Sequence, residues 1–397
     1  MQPLVFRSLA TASSLGTGLD ATAAALIGRR SGLAPCDFDT ARIDSWIGRI
    51  ADEALAPVRQ DLTRFDCRNN RIAQLALRQD GFEHAVEDAR ARHGARRIGV
   101  FLGTSTSGIL QTELAYRRRD PATGALPDDL LYATTHNNYS LADFVRTYFA
   151  LGGPSVVVST ACSSSAKVFG NAARAIAAGL CDAAIVGGTD SLCLTTLYGF
   201  GSLQLLASGP CRPFDAGRDG ISIGEGAGFV LLEPAGRADA NRTALLGLGE
   251  SSDAYHMSSP HPDGAGARLA MSAALRSAGR SPGDIDYINL HGTGTRTNDP
   301  AEAKAVHDLF GDDTACSSTK GWTGHTLGAC GALEAIICEI AIRRGFMPGS
   351  VNTRTLDPAI RVRYLIDNAQ EPPHTVMSNA FGFGGTNCSL VIGPAAA

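Results

Sequence analysis

Apolar residues recur along the chain in two alternating patterns, short runs and longer stretches rich in alanine. Residues 97–103, 154–160, 183–188 and 228–232 are short, apolar or β-branched runs, which predict buried strands. Alanine-rich stretches that end in glycine, such as residues 172–179, predict helices between them. Strands that alternate with helices favour an α/β protein with mixed sheets covered by helices.

The second part of the chain repeats this alternation. A stretch of small and polar residues at 234–243 separates the two parts. Beyond it, residues 285–290 predict a strand and residues 328–344 predict a long apolar helix that ends at a glycine. We therefore predict two halves of similar construction, residues 1–235 and residues 236–397.

Composition limits the classes of function. The 397 residues carry a net charge of −4, so no basic surface for nucleic acid or membrane is expected. No apolar run approaches the length of about 18 residues that a membrane span needs, and the first residues lack a signal-peptide pattern. The ten cysteines are scattered without a CxxC pair, which favours a reducing cytoplasm over a disulfide framework or a zinc site.

Cys162 is the most informative residue for chemistry. It lies between the strand predicted at residues 154–160 and the helix predicted after residue 163. Free N–H groups and the helix dipole at such a position favour the thiolate, which is the nucleophilic form of cysteine. The alternative is a buried, inert cysteine, and the flanking pattern argues against it.

Three more candidates lie in glycine-rich turns near predicted strand ends: His291, Lys320 and His325. Lys320 is one of only three lysines, since arginine fills the other basic positions. One cysteine with two histidines allows two interpretations. In a cysteine hydrolase, one histidine deprotonates the thiol. In a decarboxylating acyl transferase, the cysteine carries an acyl group and both histidines stabilise an enolate.

The sequence resembles the β-ketoacyl-acyl-carrier-protein synthases, the elongating condensing enzymes of type II fatty acid and polyketide synthesis. The motifs lie in order between about residues 96 and 393, and together they are very specific. They are STACSSS at 159–165, RPFD at 212–215 with RDG at 218–220, GEGAG at 224–228, HGTGT at 291–295, DPAEA at 299–303, residues 320–328, and SNAFGFGGTN at 378–387.

The resemblance implies a thiolase-like α/β fold, in which two pseudo-repeated halves with mixed sheets form αβαβα layers. It implies an enzyme in which Cys162 accepts the acyl group. His291 and His325 would bind the malonyl thioester carbonyl and promote decarboxylation. The backbone N–H groups of Cys162 and Phe383 would form the oxyanion hole, and Phe383 would gate the acyl tunnel on a loop with glycine hinges.

Other site residues follow from the same resemblance. Lys320 would order the site through Glu302, its expected ion-pair partner, although the pair is also compatible with a structural role. Thr293 and Thr295 would bind the phosphopantetheine arm. Thr106 would help to set the depth of the acyl tunnel.

Two aromatic residues have a second interpretation. Phe381 is expected in the substrate-binding region, like Phe383. Plain core packing is the alternative for both. Phenylalanine between glycines is poorly placed for core packing, because its neighbours offer no apolar wall.

The sequence departs from the family at several places. Its opening strand is reduced to about residues 3–9, and Gln204 stands about where housekeeping enzymes use an arginine for carrier-protein docking. We expect docking by Arg64, Arg68 and Arg71 instead, which a helical register would bring close together, with a solvated surface as the alternative. Residues 191–206 are more similar to synthases of aryl-polyene pigment pathways than to housekeeping enzymes.

Other functions remain open at this point. A non-catalytic chain-length partner in a synthase heterodimer usually lacks the cysteine, so Cys162 argues against it. Thiolases place a second reactive cysteine late in the chain, and primer-using synthases replace one histidine, whereas this chain has His325. The resemblance implies acyl-carrier protein as partner, a homodimer or a heterodimer with a chain-length partner, and neither a metal nor a dissociable cofactor.

Overall fold

The computed structural model describes residues 1–395, which form fifteen strands and eleven α-helices. The strands are β1 (Leu4–Ser13), β2 (Gly16–Thr17), β3 (Leu33–Pro35), β4 (Trp46–Gly48), β5 (Ile98–Gly103), β6 (Ser155–Val158), β7 (Ala183–Asp190), β8 (Ile223–Gly224), β9 (Gly226–Pro234), β10 (Thr243–Ser252), β11 (Tyr287–Asn289), β12 (Ala315–Ser317), β13 (Arg363–Tyr364), β14 (Val376–Gly382) and β15 (Thr386–Pro394).

The helices alternate with these strands. They are α1 (Leu19–Ile27), α2 (Arg68–Leu77), α3 (Phe82–His93), α4 (Ile109–Arg117), α5 (Tyr139–Tyr148), α6 (Ser164–Ala177), α7 (Leu194–Ser202), α8 (Ala265–Ala278), α9 (Asn298–Phe310), α10 (Lys320–Thr323) and α11 (Cys330–Arg344). Within residues 1–395, no helix is long and apolar enough to cross a membrane.

The strand order repeats between the two halves. The first half pairs its strands in the order β6-β5-β7-β9-β1, and the second half in the order β12-β11-β14-β15-β10. In the spatial order of each half, the first three strands run parallel to one another. The two remaining pairings, β7-β9 and β9-β1 in the first half and β14-β15 and β15-β10 in the second, are antiparallel. A short antiparallel contact between β1 and β10, at Leu4 and Leu245, joins the halves. The predicted pseudo-repeat with mixed sheets is confirmed.

The helices build three layers around these strands. Helices α6 and α11 contact each other and strands of both halves, so they form the central layer. Helices α2, α3 and α5 cover the outer side of the first half, and α8 and α9 lie outside the second half. The predicted αβαβα layering is therefore confirmed. The boundary between residues 235 and 236 stays a prediction.

Two sequence-based expectations about strands were wrong. The first strand is not short, because β1 runs for ten residues from Leu4 to Ser13 between β9 and β10 and is largely buried. The run at residues 154–160 predicted a buried strand, but β6 covers only Ser155–Val158 and lies at the sheet edge. Val156 on β6 is 38% exposed, and within residues 1–395 β5 is the only strand that pairs with β6.

Candidate active site

Cys162 lies in the tight connection between β6 and α6, as the sequence predicts. The residue before it, Ala161, has a φ of 50°, in the left-handed region that costs a non-glycine residue energy. Gly382, at the end of β14, approaches so closely that an added Cβ would lie 2.8 Å from the Thr160 carbonyl oxygen. The connection is therefore held in one shape by its neighbours, with the Cys162 side chain buried beneath it.

The surroundings of Cys162 favour the thiol over the thiolate, contrary to the expectation from its helix terminus. Burial raises the pKa of Cys162 to about 11, although the Lys320 ammonium and the backbone N–H of Phe383 both lower it. Desolvation of the charged form outweighs the local positive field. Reaction at this sulfur therefore needs a base, or a substrate that replaces the lost solvation.

Both predicted histidines reach this thiol. His325 Nε2 lies 3.0 Å from the Cys162 sulfur. The rings of His291 and His325 stand nearly perpendicular, with centroids 5.3 Å apart. One nitrogen of each ring and the sulfur all lie within 4.8 Å of one another. The sequence therefore predicted correctly which three side chains converge.

The two histidines are neutral at ordinary pH. Burial, and then the Lys320 charge, lower the pKa of both rings well below the usual value. A neutral imidazole offers one N–H donor and one lone pair, so each ring can donate a single hydrogen bond to a carbonyl oxygen. The same positive field disfavours a metal cation at this cluster, which is otherwise a possible three-ligand site.

The expected ion pair between Lys320 and Glu302 is wrong. The Lys320 ammonium instead lies 2.5 Å from a carboxylate oxygen of Glu334, on α11, and both side chains are buried. Burial lowers the pKa of Lys320, but the Glu334 carboxylate more than offsets this and raises it. Lys320 is therefore a permanent cation, with Glu334 as its counter-ion.

Glu302 has a different task, which is to hold the loop of His291. Its two carboxylate oxygens accept the backbone N–H groups of His291 at 2.8 Å and Gly292 at 2.7 Å. Burial raises the pKa of Glu302 to about 7, against the effect of these two donors. Glu302 fixes the backbone of the turn that presents the His291 ring.

The pocket beside Cys162 has one polar wall and one apolar wall. Thr293 and Thr295 line it, and their hydroxyl oxygens lie 2.9 Å apart. On the other side the pocket is lined by Phe381 and by Phe383, whose ring lies 5.7 Å from that of Phe200. The space, with its open mouth, measures about 580 Å³. Such a combination suits an extended amide-containing chain.

Thr106 is placed differently from the expectation. It is 3% exposed and is not among the residues that line the pocket around Cys162. Its hydroxyl and its backbone N–H both donate to one carboxylate oxygen of Asp190, each at 2.8 Å. A role for Thr106 in the acyl tunnel stays a prediction.

The three arginines proposed for docking do not form one helical surface. Arg64 precedes α2 and stacks its guanidinium over the Phe65 ring, whereas Arg68 and Arg71 belong to α2. Arg68 is bound by buried Glu225 at 2.5 Å, and Arg71 is bound by Asp66. Among residues 1–395, only Arg64 of the three has no acidic partner within 4.0 Å.

Sequence reasoning missed three residues near the site: Glu334, Asp190 and Phe200. Glu334 had a usable signal, because a carboxylate inside the apolar helix of residues 328–344 requires a buried cation. Asp190 had a weaker one, as an acid at the end of an apolar strand. Phe200 had none, because an aromatic residue in a helix is ordinary core.

Comparisons with known proteins identify the family. Residues 8–238 match the family described as beta-ketoacyl synthase, N-terminal domain, and residues 243–354 match its C-terminal domain. The chain is 34% identical to 3-oxoacyl-[acyl-carrier-protein] synthase 2 of Coxiella burnetii, over 98% of each chain. It is 42% identical to the protein of the same name from Rhizobium meliloti, over 74% of this chain and 73% of that relative.

Solved structures agree with these sequence relatives. A ketosynthase in complex with its chain length factor from Xenorhabdus doucetiae is 38% identical and gives a TM-score of 0.90, covering 99% of this chain and 98% of that chain. A beta-ketoacyl synthase from Burkholderia phymatum is 29% identical, with a TM-score of 0.88 over 99% of this chain and all of that chain. The thiolase-like fold is thereby confirmed.

Proposed function

Because the chain belongs to the β-ketoacyl synthase family, we propose that it condenses an acyl group held on Cys162 with malonyl-acyl-carrier protein. The products are 3-oxoacyl-acyl-carrier protein and carbon dioxide. The observation that carries the proposal is the convergence of the Cys162 sulfur with one nitrogen each of His291 and His325 inside a pocket. The phosphopantetheine arm is covalently attached to the carrier, so the reaction as proposed uses no dissociable cofactor.

In the first step, an acyl thioester of the carrier enters along Thr293 and Thr295. The Cys162 sulfur attacks its carbonyl carbon, and its proton passes to His325 Nε2, 3.0 Å away. The oxyanion accepts hydrogen bonds from the backbone N–H groups of Cys162 and Phe383. The carrier sulfur then leaves as a thiol, which takes the proton from His325, and the acyl group stays on Cys162.

In the second step, malonyl-carrier protein replaces the free carrier. Its thioester carbonyl oxygen accepts N–H hydrogen bonds from His291 and His325, which are neutral because burial and Lys320 lower the pKa of both rings. Loss of carbon dioxide leaves an enolate whose oxygen these two donors stabilise. Lys320 adds positive potential close to that developing charge.

In the third step, the enolate carbon attacks the acyl thioester on Cys162. The oxyanion forms again at the backbone N–H groups of Cys162 and Phe383, and collapse expels the Cys162 sulfur. The new carbon–carbon bond lies in the 3-oxoacyl chain, which leaves on the carrier. The Cys162 thiolate takes up one proton from solvent, which replaces the proton that left with the carrier thiol, and the cycle closes.

The partners proposed are acyl-carrier protein and a second subunit. Strand β6 leaves one edge unpaired in the single chain, with Val156 exposed, as expected for a strand that continues across a dimer. A chain-length partner is a second candidate for that subunit, because the Xenorhabdus doucetiae ketosynthase is bound to its chain length factor. A purely non-catalytic role for this chain is disfavoured by Cys162, His291 and His325 together.

Docking of the carrier and location in the cell belong to the same proposal. Arg64 is the best remaining docking residue of the three predicted, since Arg68 and Arg71 are held in ion pairs. A cytoplasmic location is proposed from the cysteine pattern, and all ten cysteines are free in the structure.

One assay tests the function directly. The purified protein is incubated with malonyl-carrier protein and a panel of acyl-carrier proteins, and the products are read by mass spectrometry. We expect 3-oxoacyl-carrier protein with two more carbons than the acyl donor, and no product from Cys162→Ala. Absence of any condensation product, alone or with a co-expressed chain-length partner, would disprove the proposal.

A further inference from the structure

Asp190, at the end of β7, is a buried carboxylate that the reaction scheme above does not use. It is 0% exposed and accepts four hydrogen bonds from one turn of the chain. The donors are the Thr104 hydroxyl at 2.7 Å, the Ser105 N–H at 2.9 Å, and the Thr106 N–H and hydroxyl at 2.8 Å each. Burial raises the pKa of Asp190 above its usual value, and these donors oppose that rise by stabilising the carboxylate.

Two other buried acids of the site region are paired with cations, whereas Asp190, like Glu302, is held in the described part of the chain by hydrogen-bond donors alone. Glu225 binds Arg68 and Glu334 binds Lys320, each at 2.5 Å. Among residues 1–395, no cationic side chain lies within 4.0 Å of the Asp190 carboxylate. A buried charge without a counter-ion opposes folding, so its presence next to the site calls for a functional reason.

The turn that Asp190 holds is bonded directly to the chain before the nucleophile. The Ser105 hydroxyl donates to the Ala161 carbonyl oxygen at 3.2 Å. Ala161 is the residue with φ of 50° that turns the chain into Cys162. Asp190, Ser105 and Ala161 therefore form a continuous path to the position of the sulfur.

A third segment packs onto the same carboxylate. A Cβ added to Gly328 would lie 2.6 Å from the Ser105 hydroxyl and 2.7 Å from an Asp190 oxygen, so only glycine fits between them. Each of the three segments also holds one non-glycine residue in the left-handed region: Ser107, Ala161 and Leu327. Backbone strain of this kind persists only where the surroundings over-determine it.

We propose that Asp190 is a positioning residue for the nucleophile, which it holds through Ser105 and Ala161. This inference rests on the proposed role of Cys162 as acyl acceptor. Asp190 touches neither the sulfur nor the histidines, so its effect is on acyl transfer to Cys162 rather than on malonyl decarboxylation. Its charge also acts on the sulfur through space.

That charge supplies a readout which a merely structural residue would lack. After burial, Lys320 and the Phe383 N–H, Asp190 is among the groups that set the pKa of Cys162, and it raises it. Removing the anion therefore lowers the pH at which Cys162 ionises. The other titratable groups around the sulfur, which stay in place, are His291, His325, Lys320 and Cys330.

The experiment compares Asp190→Asn and Ser105→Ala with a matched control, Glu233→Gln. Asparagine has the shape of aspartate but no charge. Its amide nitrogen is a donor, so it cannot accept hydrogen bonds from the donors that face it. Ser105→Ala keeps the charge and removes only the bond to Ala161. Glu233, on β9, is another buried carboxylate. It is bound by Arg7 and Arg92 and does not line the pocket around Cys162.

Three measurements are made on each purified variant. The first is the rate of Cys162 alkylation by iodoacetamide as a function of pH, which needs no carrier protein. The second is the single-turnover rate of Cys162 acylation by an acyl-carrier protein. The third is malonyl decarboxylation in a Cys162→Gln background, with thermal unfolding as the check on folding.

For Asp190→Asn we expect Cys162 to be acylated at least about tenfold more slowly. The pH midpoint of Cys162 alkylation should be lower by about half a pH unit or more. The rate of malonyl decarboxylation should change less than about threefold. Ser105→Ala should slow acylation about three- to tenfold with an unchanged midpoint. Glu233→Gln should unfold at lower temperature with acylation and midpoint unchanged.

Wild-type acylation in Asp190→Asn, or equal losses of acylation and decarboxylation, would overturn the proposal. If Asp190→Asn does not fold, Ser105→Ala decides, and its acylation at the wild-type rate would count against the proposal. If wild-type protein is alkylated at Cys162 but never acylated, the proposed function fails. The alkylation data on Asp190 then still test the positioning role.

Discussion

The two halves of the molecule share one strand topology, but the turns at equivalent places in the two halves present different reactive side chains. In each half, the turn after the second strand is held by a buried carboxylate. Asp190 accepts the N–H groups of Ser105 and Thr106 after β5, and Glu302 accepts those of His291 and Gly292 after β11. In each half, the third strand leads toward the central helix, α6 or α11.

What differs is the side chain that each turn presents. The first half presents the proposed nucleophile, Cys162, whose turn is bonded to the turn that Asp190 holds. The second half presents His291 and His325, whose pKa values are lowered by the Lys320 cation, which is paired with Glu334. The pseudo-repeat therefore separates the proposed acyl-accepting group from the groups proposed to stabilise an enolate, and each set can be tested alone.

The largest expected effect comes from removing the nucleophile of the first half. Cys162→Gln cannot accept an acyl group, so condensation should fall by roughly 10³-fold or more. The two histidines stay in place, and the glutamine amide imitates an acylated cysteine, so malonyl decarboxylation should persist or rise. Carbon dioxide release and 3-oxoacyl product are measured in parallel, with Cys388→Ala as a control. Loss of both activities together would contradict the separation.

The next largest effect concerns the buried ion pair of the second half. Lys320→Met leaves Glu334 buried without a cation, and should destabilise the fold by about 3–5 kcal/mol. The matched control is Lys304→Met, which breaks the exposed pair with Asp263 and should change the free energy of unfolding far less, because solvent screens an exposed pair. Denaturant unfolding measures both, and similar losses in the two variants would contradict the comparison.

The same substitution has a predictable effect on pH dependence. Lys320 lowers the pKa of His291 and His325, so its removal raises both. The rings then protonate at higher pH and lose the lone pair needed for proton acceptance. The acid limb of the condensation pH profile should therefore move to higher pH in Lys320→Met, and a shift to lower pH would contradict the assigned role.

Glu302→Gln tests the turn-holding carboxylate of the second half. Glutamine has one acceptor oxygen for the two N–H groups of His291 and Gly292, so the His291 ring should lose its fixed position. Malonyl decarboxylation should fall roughly 10- to 100-fold, while acylation of Cys162 changes less than about threefold. This is the mirror image of the result expected for Asp190→Asn. An equal fall in both steps would show that the two halves are not separable.

The positions of the candidate catalytic side chains could be predicted from sequence because each lies in a short motif with glycines around it. Cys162, His291, His325 and Lys320 follow strands or precede helices, so their placement depends on local structure. The family resemblance added what local reasoning left open, since cysteine with two histidines also fits a hydrolase. The repeated order of the strands was foreseeable from the alternation of strand and helix patterns.

Properties that depend on packing could not be predicted in the same way. Lys320 pairs with Glu334 rather than Glu302. The carboxylate inside the apolar helix signalled a buried cation, but which acid meets Lys320 is decided by tertiary packing. In the described part of the chain β6 is an edge strand, paired with β5 alone, although its sequence is that of a buried strand. The helix terminus at Cys162 predicted a favoured thiolate, but burial raises the pKa of Cys162 by more than Lys320 and the Phe383 N–H lower it.

The smallest expected effect concerns a single donor to Asp190. Thr106→Val has nearly the same shape as threonine but removes the hydroxyl that donates to the carboxylate at 2.8 Å. Three donors remain on Asp190, so stability should fall by about 1 kcal/mol, and Cys162 acylation should slow by less than about threefold. Thr106→Ser keeps the hydroxyl, and Cys162 in this variant should be acylated at the wild-type rate.

Because Thr106 does not line the pocket around Cys162, the slowing in Thr106→Val should be equal for short and long acyl donors. A selective loss of long donors in Thr106→Val would instead place this residue on the wall of the acyl tunnel, and would make the turn of the first half a determinant of chain length as well as a support for the nucleophile.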